Sequence, residues 1–275
     1  MPTSYESQKH YLLAYIAGLL LFGPGLHHAQ GAALFTETFA ADSADWGNAG
    51  TGPNWIHTNG SMRVSFDEQM FPMPEEAAAL AAGAASSGGA FVGNYRAAGA
   101  QLIGFDFYAN IENPAQLILE LVSGTNTYRR NLFDKVGPAG NTSRIAVSLV
   151  NRQAGGWDNL VGSSDASFES VLTNVTAVFV KLSRGSLVAH EYRVDNFFLD
   201  ALPVAGTPQS MADGASLTWI GVRPGWLYHL EATTNLVNSA DWTGVVTVTA
   251  TNQVISLLDP SATNHAFRAY RLVMP

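Results

Sequence analysis

The feature that most constrains the fold is a two-residue alternation of side chains in several short segments. The segment "QLILELV" (116–122) sets three leucines against isoleucine, glutamate and valine, and segments 101–109, 144–150 and 177–183 alternate in the same way. Successive side chains of a β-strand point to opposite faces, so this period predicts strands with one buried face. Turn formers separate the segments and no helical period alternates with them. The sequence therefore predicts an all-β antiparallel sandwich rather than a parallel α/β sheet.

The composition limits the classes of partner and site. Hydrophobic residues make up 47% of the 275 positions, which is enough for a large core, while charged residues make up only 13%. The net charge of −8 argues against nucleic-acid binding, because that function needs a clustered basic face. The chain has no cysteine, so disulfides, thiolate metal sites and cysteine nucleophiles are excluded.

The N-terminus carries the features of a secretory signal. Lys9 and His10 precede the apolar run 11–25, and small residues stand at Ala29 and Gly31. A positive start, a short apolar stretch and a small-residue cleavage site predict a signal peptide over residues 1–31. The alternative is an uncleaved anchor helix. Cleavage would leave no membrane span and would place the protein outside the cell or on its surface, with the periplasm as the other destination.

The remainder divides into two β-rich parts. Residues 32–202 hold the alternating segments and are predicted to form the sandwich. Residues 203–215 have the Pro/Gly/Ser character of a linker, and residues 216–275 repeat the β pattern in a small module. The low-complexity stretch 75–90, rich in Ala, Ser and Gly, is predicted to be an exposed insertion loop whose first part favours a short helix.

Three stretches of the first part carry a family resemblance. They are "FTETFAADSADW" (35–46), "NGSMRVSF" (59–66) and "YRVDNFFLDAL" (192–202). Together they resemble the galactose-binding-like jelly-roll domains, which include many carbohydrate-binding modules of secreted bacterial enzymes. The resemblance implies a jelly-roll sandwich that binds a polysaccharide or other glycan.

The Asp195-Asn196 pair interrupts an otherwise apolar strand. In the resembled family, a structural calcium often joins the first and last strands through an acidic residue in each. The resemblance therefore implies a calcium site with Asp195 on the last strand and Glu37 on the first. The alternative is an ion pair from Asp195 to Arg193 or Arg144.

Aromatic and planar polar side chains are the groups that recognise sugars, because rings stack on sugar C–H faces while amides and guanidinium groups bond the hydroxyls. Trp157 stands in the Gly-rich stretch "QAGGWDNLVG", where a large ring is either a loop anchor or a binding platform. The candidate ligand-binding residues are Trp157, Trp55, Tyr95, Tyr128 and Arg129.

No catalytic motif accompanies them. There is no G-x-S-x-G elbow, and His190-Glu191 is followed by Val194 where a zinc H-E-x-x-H helix has its second histidine. Glu120 is a lone carboxylate, whereas a glycosidase needs a pair. We therefore expect a non-catalytic carbohydrate-binding or adhesive protein. The alternatives are a structural or surface-attachment protein without a small ligand and, with less support, a polysaccharide-active enzyme.

The last sixty residues resemble the short β modules that end many secreted proteins of environmental bacteria. The shared patterns are Tyr-x-Leu-Glu at 228–231, Thr-Asn-Leu at 234–236, Trp-Thr at 242–243 and Arg-x-Tyr-Arg-Leu at 268–272. Tyr228 and Trp242 are expected in its core, and Glu231 is expected to pair with Arg268 or Arg271. The module has either a structural role or attaches the protein to a partner such as a cell-envelope component.

Overall fold

The computed structural model describes residues 33–69, 76–159, 164–236, 241–265 and 267–273. The signal segment predicted over residues 1–31 lies outside these ranges. The chain divides into two compact units, one formed by Leu34–Ala201 and the other containing Leu202–Pro275. No helix in the described ranges has the length and apolar character needed to cross a membrane.

The large unit is built almost entirely from strands. They are β1 (Ala33–Glu37), β2 (Gly47–Asn48), β3 (Ile56–Thr58), β4 (Ser61–Phe66), β5 (Ala77–Ala82), β6 (Leu102–Ala109), β7 (Gln116–Ser123), β8 (Asn126–Asn131), β9 (Thr142–Ser148), β10 (Asp158–Asn159), β11 (Ala177–Ser183) and β12 (His190–Asp200). Two short helices, α1 (Arg152–Gly155) and α2 (Asp165–Leu172), and 3₁₀ turns at Ser86–Gly89 and Phe133–Lys135 connect them.

These strands form two six-stranded sheets. The first sheet has the order β3-β4-β12-β6-β9, with β1 also paired to β12, and the second has the order β10-β8-β7-β11-β5-β2. Alternate side chains from both sheets, such as Phe105 and Val194 from the first and Leu119 and Val180 from the second, meet in one buried core. The prediction of an all-β sandwich is confirmed.

The Asp195-Asn196 pair forms a β-bulge in β12. Val194 faces the core before the pair and Phe197 faces it afterwards, although three positions separate them. The pairing of β12 with β6 shifts by one residue between Asp195 and Phe198, and Asn196 has a φ of 47°. One extra residue reverses the alternation, so the bulge keeps Phe197 in the core. Simple alternation, which would point Asn196 inward, is wrong here.

The Ala-rich stretch holds a strand in the sheet instead of an exposed loop. Strand β5 pairs with β11 along six positions and with β2 on its other side. Ala78, Leu80 and Ala82 face the core and are fully buried. Pairing on both edges and the burial of one face outweigh the helical preference of alanine, because strand stability depends mainly on neighbours. The expectation of an insertion loop is wrong for these residues.

The second unit contains β13 (Val204–Ala205), β14 (Gln209–Met211), β15 (Gly214–Ile220), β16 (Leu227–Thr233), β17 (Thr243–Thr249), β18 (Val254–Asp259), β19 (Ala269–Val273) and a 3₁₀ turn at Ala262–Asn264. One sheet joins β13, β14 and β18 to β15, and the other has the order β17-β16-β19. Strands β13 and β14 come from the stretch predicted to be a linker, and each pairs with β15.

The small unit contains buried charged side chains that are paired with one another. Asp259 is fully buried and accepts hydrogen bonds from the Ser261 amide and the Tyr270 hydroxyl, each 3.0 Å away, while Arg268 Nε lies 3.1 Å from it. Arg271 pairs with Glu231 at 2.6 Å, which settles which arginine that glutamate takes. Tyr228 is buried as expected.

Trp242 is only partly buried, unlike the core position expected for it. Its ring centroid lies 4.4 Å from the guanidinium carbon of Arg271. Trp242 therefore covers the Arg271–Glu231 pair instead of filling the core.

Candidate functional site

The four aromatic candidates lie inside the sandwich. Trp157 and Tyr128 have an exposed fraction of 0%, Tyr95 of 1% and Trp55 of 3%. A ring without exposed surface cannot stack on a ligand. The structure therefore corrects the expectation that these four rings form a binding surface, and it makes them core residues.

Trp157 is the loop anchor of the two alternatives that the sequence left open. Its indole Nε1 donates a hydrogen bond of 2.8 Å to the Ser148 carbonyl, and its ring lies against Phe168 of α2. A Cβ at Gly155 would overlap the indole, so the glycine lets the backbone pass close to the ring. The Gly-rich character of this loop thus serves packing.

The two tyrosines also have their hydroxyls bound inside the protein. Tyr95 donates to the Phe91 carbonyl at 2.7 Å, and burial raises the pKa of Tyr95 far above its usual value. Tyr128 donates to the Ser164 carbonyl at 2.9 Å and so ties β8 to the start of α2. Both hydroxyls help to hold the fold.

Arg129 is the one ligand candidate that is exposed. It lies on β8 next to the buried Tyr128, so its side chain is on the opposite face of the second sheet, away from the core. Its pairing neighbours on that face are Glu120 on β7 and Asp158 on β10. The outer face of the second sheet therefore carries a cluster of charged side chains.

The register defines a row of side chains across the outer face of the second sheet. Phe179 on β11 pairs with Ala81 on β5 and with Glu120 on β7. The row therefore continues from Ala81 through Phe179 and Glu120 to Arg129 and Asp158. The row crosses five neighbouring strands. Ala81 and Phe179 form its apolar half, and Glu120, Arg129 and Asp158 form its charged half.

The apolar half is shallow around the ring. Ala81 stands beside Phe179 on β5, and Ala177 is the next residue of β11 on the same face. Phe179 itself is partly exposed. Because alanine side chains are short, the phenyl ring stands above its surroundings and part of its surface meets solvent.

Glu120 is held by a lysine in the next row. Lys181 Nζ lies 2.6 Å from Glu120 Oε2 and 5.3 Å from the centroid of the Phe179 ring. Glu120 is only 7% exposed although it faces away from the core. Lys181 thus links the ring to the carboxylate, and the three side chains form one contact group on rigid strands.

The outer face of the first sheet differs in its arginines, because each arginine on its strands pairs with a carboxylate. Arg63 lies 3.4 Å from Glu191, which also binds Arg193. Arg193 in turn covers the ring of Tyr108, with 5.4 Å between the guanidinium carbon and the ring centroid. A cation from the protein therefore lies beside an aromatic ring on this face, as Lys181 does beside Phe179 on the second sheet.

The two residues expected to bind calcium lie in an acidic environment. Glu37 accepts hydrogen bonds from the Phe39 amide and the Ser87 hydroxyl, both at 2.8 Å, and Asp195 accepts one from the Asn196 amide at 2.6 Å. Burial raises the pKa of Asp195, and the charges of Asp106 and Glu37 raise it further. The hydrogen bond from the Asn196 amide lowers this pKa but does not outweigh them.

Neither ion pair expected as the alternative for Asp195 is formed. Arg144 binds Asp106 at 2.8 Å, and Arg193 binds Glu191 at 2.9 Å. Hard carboxylate oxygens that repel one another suit Ca²⁺. However, no group of three or more His, Asp or Glu side chains in the described ranges is arranged to hold a metal ion. Asp195 and Glu37 fit calcium in chemical type, and backbone carbonyls or water would have to complete the shell.

Comparisons with known proteins do not identify the chain. No family model and no curated protein matches it. Among solved structures it is similar to the agarase AgWH50C, with 12% identity, a TM-score of 0.43, and coverage of 64% of this chain and 25% of the agarase. It is also similar to the family 11 carbohydrate-binding module from Clostridium thermocellum, with 13% identity, a TM-score of 0.41, and coverage of 63% and 98%.

A third similar structure is the L4b domain of human laminin alpha-2, with 10% identity, a TM-score of 0.38, and coverage of 55% of this chain and 85% of that domain. The chain spans about a quarter of the agarase and about a third of a β-1,2-glucanase from Parabacteroides distasonis. Similarities this weak assign neither a family nor an activity.

Proposed function

We propose that the large unit binds a glycan, without catalysis, on the outer face of the second sheet. The observation that supports this most is the contact group of Phe179, Lys181 and Glu120 on neighbouring strands. It combines a partly exposed ring, a donor and an acceptor within a few ångströms. These are the group types that a sugar requires from a binding surface.

Each group has a distinct task in this proposal. Phe179 stacks on the C–H face of one sugar ring above the short alanine side chains. Glu120 accepts hydrogen bonds from sugar hydroxyls, and Lys181 donates to them while fixing the position of the carboxylate. Because strands hold all three side chains, little conformational freedom is lost on binding.

The test is a binding screen of the full chain against soluble neutral and acidic polysaccharides by affinity gel electrophoresis, followed by calorimetry on each polymer that retards the protein. We expect Phe179→Ala to weaken binding at least tenfold, because stacking on an aromatic ring is lost. The matched control is Phe267→Ala, which removes an exposed phenylalanine of the second unit. Failure of the folded protein to bind any polymer, or equal affinity in both variants, contradicts the proposal.

One observation favours a second function, hydrolysis of a polysaccharide. Glu120 and Asp158 both neighbour Arg129, so two strand spacings, about 10 Å, separate their backbones. Side chains on backbones this far apart can place two carboxyl groups at the separation that inverting glycosidases use, about 6.5–9.5 Å. Release of reducing ends by the wild type, lost in Glu120→Gln, would make the protein an enzyme. We favour binding because Lys181 neutralises Glu120 and Asp158 is largely exposed.

The burial of all four aromatic candidates supports another alternative, a structural or surface-attachment protein that contacts a cell-envelope component and has no small ligand. The same screen separates the two functions, since an attachment protein would bind no soluble polysaccharide. Both proposed functions assume that the protein is located outside the cell or on its surface. Cell fractionation with N-terminal sequencing of the mature chain tests it, and cleavage near residue 31 is the expected result.

We also propose that calcium stabilises the large unit through Asp195 and Glu37. A divalent cation would stabilise the ionised form of Asp195 against the two effects that raise its pKa, which are burial and the charges of Asp106 and Glu37. Calcium that binds only the folded state should raise the unfolding temperature, and Asp195→Ala should abolish that rise. An unfolding temperature that is the same with calcium and with a chelator contradicts this site and leaves the glycan proposal intact.

A further inference from the structure

Arg129 differs from every other arginine of the large unit. Each of the others binds a carboxylate: Arg63, Arg96, Arg130, Arg144, Arg152, Arg184 and Arg193. Arg129 is exposed and makes no hydrogen bond or ion pair with any residue in the described ranges. Among the described residues it is therefore a cation without a partner on the proposed binding surface.

The two carboxylates beside Arg129 differ. Glu120 binds Lys181 at 2.6 Å, whereas Asp158 is largely exposed and lies 3.8 Å from Arg152, which binds Asp165 at 3.1 Å. Both residues stand directly opposite Arg129 on the adjacent strands, which is close enough for either carboxylate to form an ion pair with it. The surface thus carries one close ion pair, Lys181–Glu120, and one guanidinium that binds no residue of the described ranges.

We propose that Arg129 binds an anionic group on the ligand, so that the glycan is an acidic one whose sugars carry carboxylate or sulfate ester groups. This inference rests on the proposed glycan-binding function. A planar guanidinium donates two parallel hydrogen bonds to a carboxylate or sulfate, a geometry that lysine cannot reproduce. A neutral glycan would leave the strongest donor of the surface without a partner of matching charge.

The spacing of the surface sets the size of the ligand. Phe179 and Arg129 are the neighbours of Glu120 on opposite sides, so their backbones are about 10 Å apart. That is longer than one sugar ring. The sugar stacked on Phe179 and the sugar that carries the anion are therefore different units of one chain, and an acidic monosaccharide should bind far more weakly than an oligosaccharide.

The charge of the whole chain narrows the choice further. The net charge of −8 repels a densely charged polyanion at long range. A single arginine that has no partner among the described residues is matched to acidic groups that are spaced along an otherwise neutral chain. The ligand class is thus a sparsely acidic polysaccharide.

The test uses glucuronoxylan for the carboxylate and κ-carrageenan for the sulfate ester. Each polymer is compared with its own neutral form, prepared by carboxyl reduction or by desulfation. Calorimetry gives dissociation constants for the wild type, Arg129→Gln and Arg129→Lys. The control is Arg193→Gln, which removes the same charge from the outer face of the first sheet. Thermal unfolding checks that every variant is folded.

We expect the wild type to bind at least one acidic polymer about tenfold more tightly than its neutral form, as a charged hydrogen-bonded pair should. Arg129→Gln should remove this preference while binding of the neutral form stays, Arg129→Lys should restore part of it, and Arg193→Gln should not change it. Equal affinity for acidic and neutral forms overturns the acidic ligand but not glycan binding. Binding of no polymer by the folded wild type overturns both.

Discussion

The two outer faces of the sandwich each carry an aromatic ring beside a cation, but they differ in the pairing of one arginine. On the first sheet, Arg193 covers the ring of Tyr108 and is itself bound to Glu191. On the second sheet, Lys181 lies equally close to the partly exposed ring of Phe179 and binds Glu120, but Arg129 has no partner in the described ranges. An aromatic ring and a charge on a strand therefore do not by themselves indicate a binding surface. What distinguishes the two faces is Arg129, because every arginine on the strands of the first sheet pairs with a carboxylate.

The largest expected difference in stability is between two phenylalanine variants, one in the core between the sheets and one on the outer face of the second sheet. Phe197 is fully buried, so Phe197→Ala should cost about 4 kcal/mol of unfolding free energy. Phe179→Ala should cost about 1 kcal/mol, because its ring is partly exposed, while it removes glycan binding. Urea unfolding measures both values. A loss of several kcal/mol in Phe179→Ala would make this ring a core residue and contradict the comparison.

A second contrast uses two ion pairs of nearly equal exposure. The side chains of Arg144 and Asp106 are 42% and 10% exposed, and those of Lys181 and Glu120 are 42% and 9% exposed. Asp106 accepts two hydrogen bonds from Arg144 and one from Asn196, so Asp106→Asn should cost about 2 kcal/mol after allowance for solvent screening.

Glu120→Gln should cost about 1 kcal/mol or less, since it breaks a single contact. In a binding assay, we expect the larger effect from the variant that costs less stability. Glu120→Gln should weaken glycan binding and Asp106→Asn should leave it unchanged. Reduced affinity in Asp106→Asn, at full folding, would move the ligand to the first sheet.

The bulge gives a third prediction. Deletion of Asn196 leaves Val194 and Phe197 two positions apart, which is the regular spacing for two residues on one face. The deletion should therefore be tolerated at a cost of about 1 kcal/mol, mainly the hydrogen bond to Asp106. Deletion of Lys181, in a strand without a bulge, should unfold the large unit because it turns Leu182 outward. Circular dichroism and urea unfolding separate the two deletions.

The smallest predicted effects concern pH, where two carboxyl groups act in opposite directions. Because the pKa of Asp195 is raised, its ionisation destabilises the fold as pH rises from the usual carboxyl value through the raised one. Without calcium, Asp195→Asn should be the more stable protein at neutral pH, and the difference should vanish below the usual carboxyl value. A destabilised Asp195→Asn in chelator would show that the ionised form is favoured.

Asp259 should behave in the reverse way. Burial opposes its ionisation, but hydrogen bonds from Ser261 and Tyr270 and the charge of Arg268 outweigh burial and lower its pKa. Its contribution is present above the usual carboxyl value and is lost as pH falls through the lowered one. Acid should therefore destabilise the second unit, and Asp259→Asn should remove that part of the pH dependence.

The sequence predicted the sheet-forming segments well because burial of one face leaves a direct two-residue period. It failed where contacts distant in sequence decide the outcome. Strand β5 consists mostly of alanine, and only its neighbours β11 and β2 make it a strand. The bulge at Asn196 is likewise set by pairing with β6.

The candidate site was harder to predict for the same reason. Trp157 stands in a Gly-rich loop, a pattern shared by exposed platforms and by anchors that fold inward, and only the packing against Phe168 distinguishes them. Phe179 was missed, although the signal was present. In "AVFVKLS", Val178 and Val180 mark the core face, so Phe179 had to lie on the other face beside Lys181. An aromatic residue out of phase with the core was the observation to follow.

The most direct test of glycan binding on the second sheet is to find which amides a bound ligand protects. Hydrogen exchange with mass spectrometry, with and without an oligosaccharide from the binding screen, reports this for every strand. We expect slower exchange in β7, β8 and β11 and no change in β4, β6 and β9. Protection confined to β4, β6 and β9 would place the ligand on the first sheet and rule out glycan binding on the second.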